Sequence, residues 1–84
     1  MRIHPSARKR GISDEDIEHV IRNPIATYPT EHEGRSHRFL VLGLDRAGNF
    51  LELVVAVGDG DLGLVIHAVH MHRRYHDLLP RHVD

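Results

Sequence analysis

The sequence predicts an α+β fold: two N-terminal helices, an antiparallel sheet of three or four strands, and a short C-terminal helix. Three features predict it. A capped, acidic, amphipathic stretch, ISDEDIEHVIRNP, occupies residues 12–24. Two β-branched runs, HRFLVLGLD and FLELVVAVG, flank RAGN, which has the composition of a hairpin turn. A third such run, LVIHAVHM, follows the turn DGDLG and leads into RRYHDLL. Helices gathered on one face of an antiparallel sheet satisfy all three.

Each element has a local reason. In HPSARKRG, Pro5 suits a first helical position and Gly11 the residue after the end, so a short basic helix is expected. In the second helix Ser13 is a good N-cap, and Asp16 three residues on approximates a capping box with a shorter acid than usual. Ile12 and Ile17 can form a hydrophobic staple. Asp14, Glu15 and Asp16 favour the positive end of the helix dipole. Ile17, Val20 and Ile21 supply the i, i+3, i+4 stripe, and Pro24 stops the helix at Asn23. IATYPT reads as a short edge strand ended by Pro29, and EHEGRS as a polar turn. In the last strand, alternation puts Leu64, Ile66, Ala68 and His70 on one side and Val65, His67, Val69 and Met71 on the other. Tyr75, Leu78 and Leu79 would pin the closing helix, which Pro80 stops.

The chain has 84 residues, which is one domain over 1–84. A domain of this size buries only about 60–65% of its unfolded surface. A shallow site or a dimer interface is the natural expectation, and a homodimer is one option for its assembly. With no cysteine, thiol nucleophiles, disulfides and thiolate metal sites are excluded. The start, MRIHPSARKRG, has no apolar signal core, and no apolar run reaches the ~18 residues a membrane span needs. A soluble, cytoplasmic protein with no membrane contact is expected. The formal net charge of −1 is unlike that of a non-specific nucleic-acid binder. It conceals clusters: Arg2, Arg8, Lys9 and Arg10 at one end, Arg73, Arg74 and Arg81 at the other, and nine histidines that gain charge below about pH 6.5.

Chemistry concentrates in VIHAVHMHRRYH, residues 65–76. His67 has apolar neighbours on its side of the strand, so it is either a half-buried histidine with a satisfied ring or a residue of an open site. His70, His72 and His76 could supply three nitrogen ligands to zinc or another divalent ion, giving a metal-dependent hydrolase. No H-E-x-x-H pattern accompanies them. The third reading is RNA cleavage through the 2′-hydroxyl, which needs a base, an acid and a cation. Histidine and tyrosine fit the first two roles, and arginine presents a fork that matches phosphate oxygens. His4 and Arg8, one turn apart, could face Arg73, Arg74 and Tyr75 if the first helix crosses the sheet end. The alternatives are a solvated ARKR face and a Tyr75 used for packing. Glu52, the one acid within FLELVVAVG, either faces solvent or pairs with Arg38 on the neighbouring strand. With two Phe, two Tyr and no Trp, base-stacking platforms are scarce.

A family resemblance covers nearly the whole chain. HPSARKRGISDEDIEHVIRNP resembles the N-terminal helices of BrnT-like toxins and related small domains of unknown function. RFLVLGLDRAGNFLELVVAV resembles their central hairpin, and VIHAVHMHRRY their closing tract. The usual Ser-Ala-Arg of the last strand is His67-Ala68-Val69 here, and the tract's glutamate is absent. BrnT belongs with the RelE-like toxins of type II toxin–antitoxin pairs. The resemblance implies a metal-independent ribonuclease without a cofactor, acting on RNA (ribosome-bound mRNA among the options) and held by a cognate antitoxin protein. Carried over, it implies His67, His70, Arg73, Arg74 and His4 as catalytic residues, with Arg8, Lys9, Arg10, Arg38 and Tyr75 binding substrate. The rival expectation is a non-catalytic module in which the same face docks an acidic partner or operator DNA.

Overall fold

The computed structural model describes residues 1–30, 37–58 and 63–80. The expected polar turn EHEGRS, most of DGDLG, and Arg81 lie outside them. Five strands form one sheet: β1 (Arg2–Ile3), β2 (Ala26–Thr30), β3 (His37–Leu44), β4 (Phe50–Val57) and β5 (Leu64–His70). Their spatial order is β1-β5-β4-β3-β2. Every neighbouring pair is antiparallel except β1 with β5, which is parallel, so the sheet is mixed. The one α-helix among the described residues is α1 (Asp14–Arg22). Two 3₁₀ segments complete the fold, an opening turn (Pro5–Arg8) and a closing turn (Arg73–Leu78).

This corrects the expected architecture of two N-terminal helices over a three- or four-stranded antiparallel sheet. HPSARKRG offers a single buried side chain, Ala7, and therefore no apolar stripe to hold a helix on the sheet. A segment that short cannot nucleate an α-helix on propensity alone. Ahead of it Arg2 and Ile3 pair with Leu64 and Val65, and His4 N–H donates to Val65 O at 2.8 Å. The residues just ahead of the expected helix thus extend the sheet, and Pro5–Arg8 close only as a 3₁₀ turn. RRYHDLL likewise closes as a 3₁₀ turn, over Arg73–Leu78, rather than as an α-helix. The edge strand β2 runs through Pro29 to Thr30 rather than stopping at it. An edge is where a residue without an N–H is tolerated.

The second helix forms as its sequence dictates. Ser13 Oγ accepts Asp16 N–H, three acids occupy the first turn, and Ile17 and Val20 are fully buried. Val41, Leu51, Leu53, Val55, Val65 and Ala68 meet them from the sheet, and Ala7 closes one side. Burial of such side chains stabilises by roughly 1.5–3 kcal/mol each. Gly43 sets how closely α1 can approach β3. A Cβ there would lie 2.9 Å from Val20 Cγ1 and 3.4 Å from Asn23 O.

The opposite face carries the other pleat parity: Arg38, Leu40 and Leu42 on β3, and Phe50, Glu52, Val54 and Ala56 on β4. The closing turn returns over this face. Tyr28 Oη donates to Leu78 O, and Phe50 meets the His76 ring edge-on at 6.1 Å between centroids. Leu42 is fully buried here, away from the α1-side core.

Strict alternation fails once on β5. Val55 pairs with Val65 but Val54 with His67, so Ile66 is an extra residue, a β-bulge. The bulge lets Val65 and Ala68, three apart, both face α1. It returns His67 and Val69 to the face of Val54 and Glu52. Ser6 Oγ donates to Ile66 O at 2.7 Å, so the opening turn pins the bulge.

The β3–β4 hairpin is held by carboxylates. Asp45 accepts Ala47 N–H and Asn49 N–H at 3.0 and 2.8 Å, bonds that hold its pKa below the usual carboxylate value, and Gly48 supplies φ +88°. Asp16 Oδ1 accepts Arg46 Nε–H at 2.8 Å and its backbone N–H at 3.1 Å, tying helix start to hairpin tip.

Two outcomes are expected. Gly43→Ala forces α1 off β3 and destabilises by about 1–3 kcal/mol, lowering Tm by about 4–8 °C per kcal/mol in a domain of this size; thermal unfolding followed by circular dichroism measures it. Asp16 is lowered to about 2 from 3.8, first by its side-chain bond to Arg46. Because the folded state holds fewer protons, this contribution is present above pH 3.8 and is lost as pH falls toward 2. Asp16→Asn therefore flattens the fall of Tm across that window, and added salt shrinks the difference because the pair is exposed.

Candidate functional site

Glu52 is the third residue of the central strand β4 and is 6% exposed. A buried carboxylate needs hydrogen-bond donors or a cation. Its two oxygens have different neighbours. Oε1 accepts His72 N–H at 2.8 Å, where the chain leaves β5 for the closing turn. Oε2 lies 3.5 Å from His67 Nε2, an ion-pair distance, and the His67 side chain is 44% exposed. His67 thus presents one ring edge to a buried acid and the other toward the open side.

The closing turn is built on the same anchor. His72 Nδ1 accepts Arg74 N–H at 3.0 Å, capping the turn and leaving the proton of the neutral ring on Nε2. The Arg74 guanidinium lies over the Tyr75 ring, 4.9 Å from its centroid, and donates to Tyr75 Oη at 3.0 Å. Arg73 and Arg74 are exposed, and Tyr75 is half-buried. Arg38 shares the face of Glu52 and His67. Its Nε is buried and has no hydrogen-bond partner among the described residues. Arg38 does not pair with Glu52. It stands opposite Ala56 while Glu52 stands opposite Leu42, four positions along the ladder, which is about 13 Å of strand.

The remaining sequence candidates lie elsewhere. His70 is opposite Leu51 and so emerges on the α1 face, exposed at the strand end. His4 caps the opening turn through Nδ1, which accepts Ser6 N–H at 3.1 Å. Arg8 forms a forked pair with Asp14, both bonds 2.9 Å, which raises the arginine pKa and lowers that of the acid. Lys9 and Arg10 are exposed beyond that turn. Since Ala7 packs into the α1-side core, the basic opening segment and the Glu52–His67 pair occupy opposite faces of the sheet. His70, His72 and His76 do not converge: among the described residues no three His, Asp or Glu side chains are arranged to hold a metal ion.

A family model described as a domain of unknown function, DUF4258, matches residues 5–70. The chain belongs to this family. Comparison with curated proteins and with solved structures returned no match. The DUF4258 match spans the opening turn, α1 and the strands through His70, so it includes Arg38, Glu52 and His67 and ends before the closing turn. No helix among the described residues is long and apolar enough to cross a membrane.

Glu52 is the member of this site that sequence reasoning placed wrongly, whether facing solvent or paired with Arg38. The available signal was an acid inside an apolar run, because buried acids are rarely left unpaired. The partners, one a backbone N–H from beyond β5, carry no signal in the residue types.

Tyr28→Phe removes the bond to Leu78 O that fastens the far end of the closing turn. Faster hydrogen exchange is expected at the Tyr75 and Leu79 amides, with a stability loss of about 1 kcal/mol or less at this exposed bond. Exchange in α1 should be unchanged.

Proposed function

We propose that this protein is a metal-independent endoribonuclease of the BrnT-like, RelE-related kind, acting in the cytoplasm and held inactive by a cognate antitoxin protein. The observation that carries the reading is the Glu52–His67 pair beside a turn bearing Arg73 and Arg74. The resemblance of the hairpin and closing tract to those toxins supports it further.

The chemistry needs no cofactor. A base on the protein takes the proton of the RNA 2′-hydroxyl. The freed oxygen pair forms a bond to phosphorus, the P–O5′ bond breaks, and the leaving oxygen takes a proton from an acid. The products are a 2′,3′-cyclic phosphate and a 5′-hydroxyl. His67 is the base, exposed on one side and facing a carboxylate on the other. His72 Nδ1 is occupied by Arg74 N–H, so its neutral ring caps the turn and is not the acid; water supplies the proton to the leaving oxygen. Arg73 and Arg74 neutralise the phosphorane, a role suited to the guanidinium fork. Arg38 extends the cationic rim. Tyr75 holds Arg74 over its ring and need not touch RNA. His4, Arg8, Lys9, Arg10 and His70 have no part in this step.

Expression without the antitoxin should arrest growth, and the purified protein should cleave RNA in the presence of EDTA. His67→Ala and Arg74→Ala should each lower cleavage about 100-fold or more. Arg74→Ala should leave Tm near the parent value, whereas His67→Ala, which strips a partner from buried Glu52, should lower it. An inert, non-toxic protein would refute the proposal. RNA held without turnover, with affinity falling steeply as salt rises, would favour the binding-module reading instead.

A further inference from the structure

We infer that Glu52 is a positioning residue that fixes the proton of His67 on Nε2 and thereby makes Nδ1 the atom that accepts the substrate proton. The inference deepens the ribonuclease reading and rests on it for the word substrate. The statement about the proton stands on geometry alone.

A neutral imidazole carries one proton, and its location follows from what each nitrogen faces. His67 Nε2 faces Glu52 Oε2 at 3.5 Å. An ionised carboxylate offers only acceptor lone pairs, so the proton belongs on Nε2. Nδ1, across the ring, is then the unprotonated acceptor. The pair is longer than a formed hydrogen bond, as is common in a free enzyme before substrate tightens the site. The carboxylate cannot turn away, because Oε1 is committed to His72 N–H at 2.8 Å and the side chain is 8% exposed. One carboxylate therefore sets the tautomer of the base and also fixes the start of the turn that carries Arg73 and Arg74.

The same geometry identifies an informative substitution. In Glu52→Gln the side chain keeps its shape. Its carbonyl oxygen is the only atom that can go on accepting His72 N–H, which directs the amide NH₂ at His67 Nε2. A donor there selects the other tautomer: Nε2 becomes the acceptor and the proton moves to Nδ1. The base is then blocked on its open side.

The test is ¹⁵N NMR of the imidazoles at pH 9, above the ordinary histidine range, with His67 assigned by comparison with His67→Gln. The parent protein should show the Nε2–H tautomer at His67, and Glu52→Gln should show Nδ1–H. Cleavage by Glu52→Gln should fall by about 10²–10⁴-fold, the span general-base catalysis contributes, with Tm close to the parent. A parent His67 in the Nδ1–H form would overturn the inference without any variant, even if Glu52→Gln fails to fold. An unchanged tautomer in a folded Glu52→Gln would overturn it too. An absence of RNA cleavage by the parent would instead sink the ribonuclease reading, while the tautomer result would still decide what Glu52 does.

Discussion

A carboxylate buried in the central strand is the constraint on which one side of this molecule depends. Glu52 is surrounded by Leu42, Val54 and Val69 across and along the sheet, a setting that penalises charge. The fold answers with a backbone donor from His72 and the imidazole of His67. Supplying that donor obliges the chain to fold back as it leaves β5, over the face of the sheet that carries Leu40 and Leu42. What the far face gains in burial is therefore tied to an interaction that is unfavourable unless complete. Removing one partner of such a set costs more than forming the whole set gains.

The two faces of the sheet are built on different physics. Under α1 the packing is apolar and close, and it is limited by a glycine at the crossing point. On the other side a thin covering of polar and aromatic contacts holds a 3₁₀ turn: Tyr28 on Leu78, Phe50 on His76, and Glu52 on His72. Local opening begins where buried apolar contacts are few, so the turn bearing Arg73 and Arg74 belongs to the less stable layer. On the ribonuclease reading proposed above, that placement would ease the entry of a bulky polymer.

The expected architecture was wrong, but several of its elements were legible because they are encoded locally. The cap at Ser13, the stripe of Ile17, Val20 and Ile21, and the hairpin around Gly48 each need only a few neighbouring residues. What was illegible depends on distant partners. Arg2 and Ile3 have no strand signature, and their pairing arises because β5 has a free edge. Tertiary context also overrode the helix signal of Pro5 and Gly11. Within the site, the residue types were visible but their convergence was not. Nothing in ARKR tells that Arg8 is occupied by Asp14, or that His4 is a cap. Nothing in FLELVVAVG tells which of its neighbours meets Glu52.

The extra residue at Ile66 works as a parity switch. Side chains on a strand alternate, so the residue that follows a buried Val65 by two would ordinarily enter the same apolar layer. One inserted position inverts that rule, and an imidazole that would have been entombed under α1 is delivered to the opposite surface. The hydroxyl of Ser6 holds the displaced carbonyl in place. The amino-terminal turn, whose cations lie far from the acid–imidazole pair, therefore still decides through the backbone on which side of the sheet that pair can exist. The same residues paired in strict alternation, without the bulge, would leave a recognisable sheet whose His67 had moved indoors.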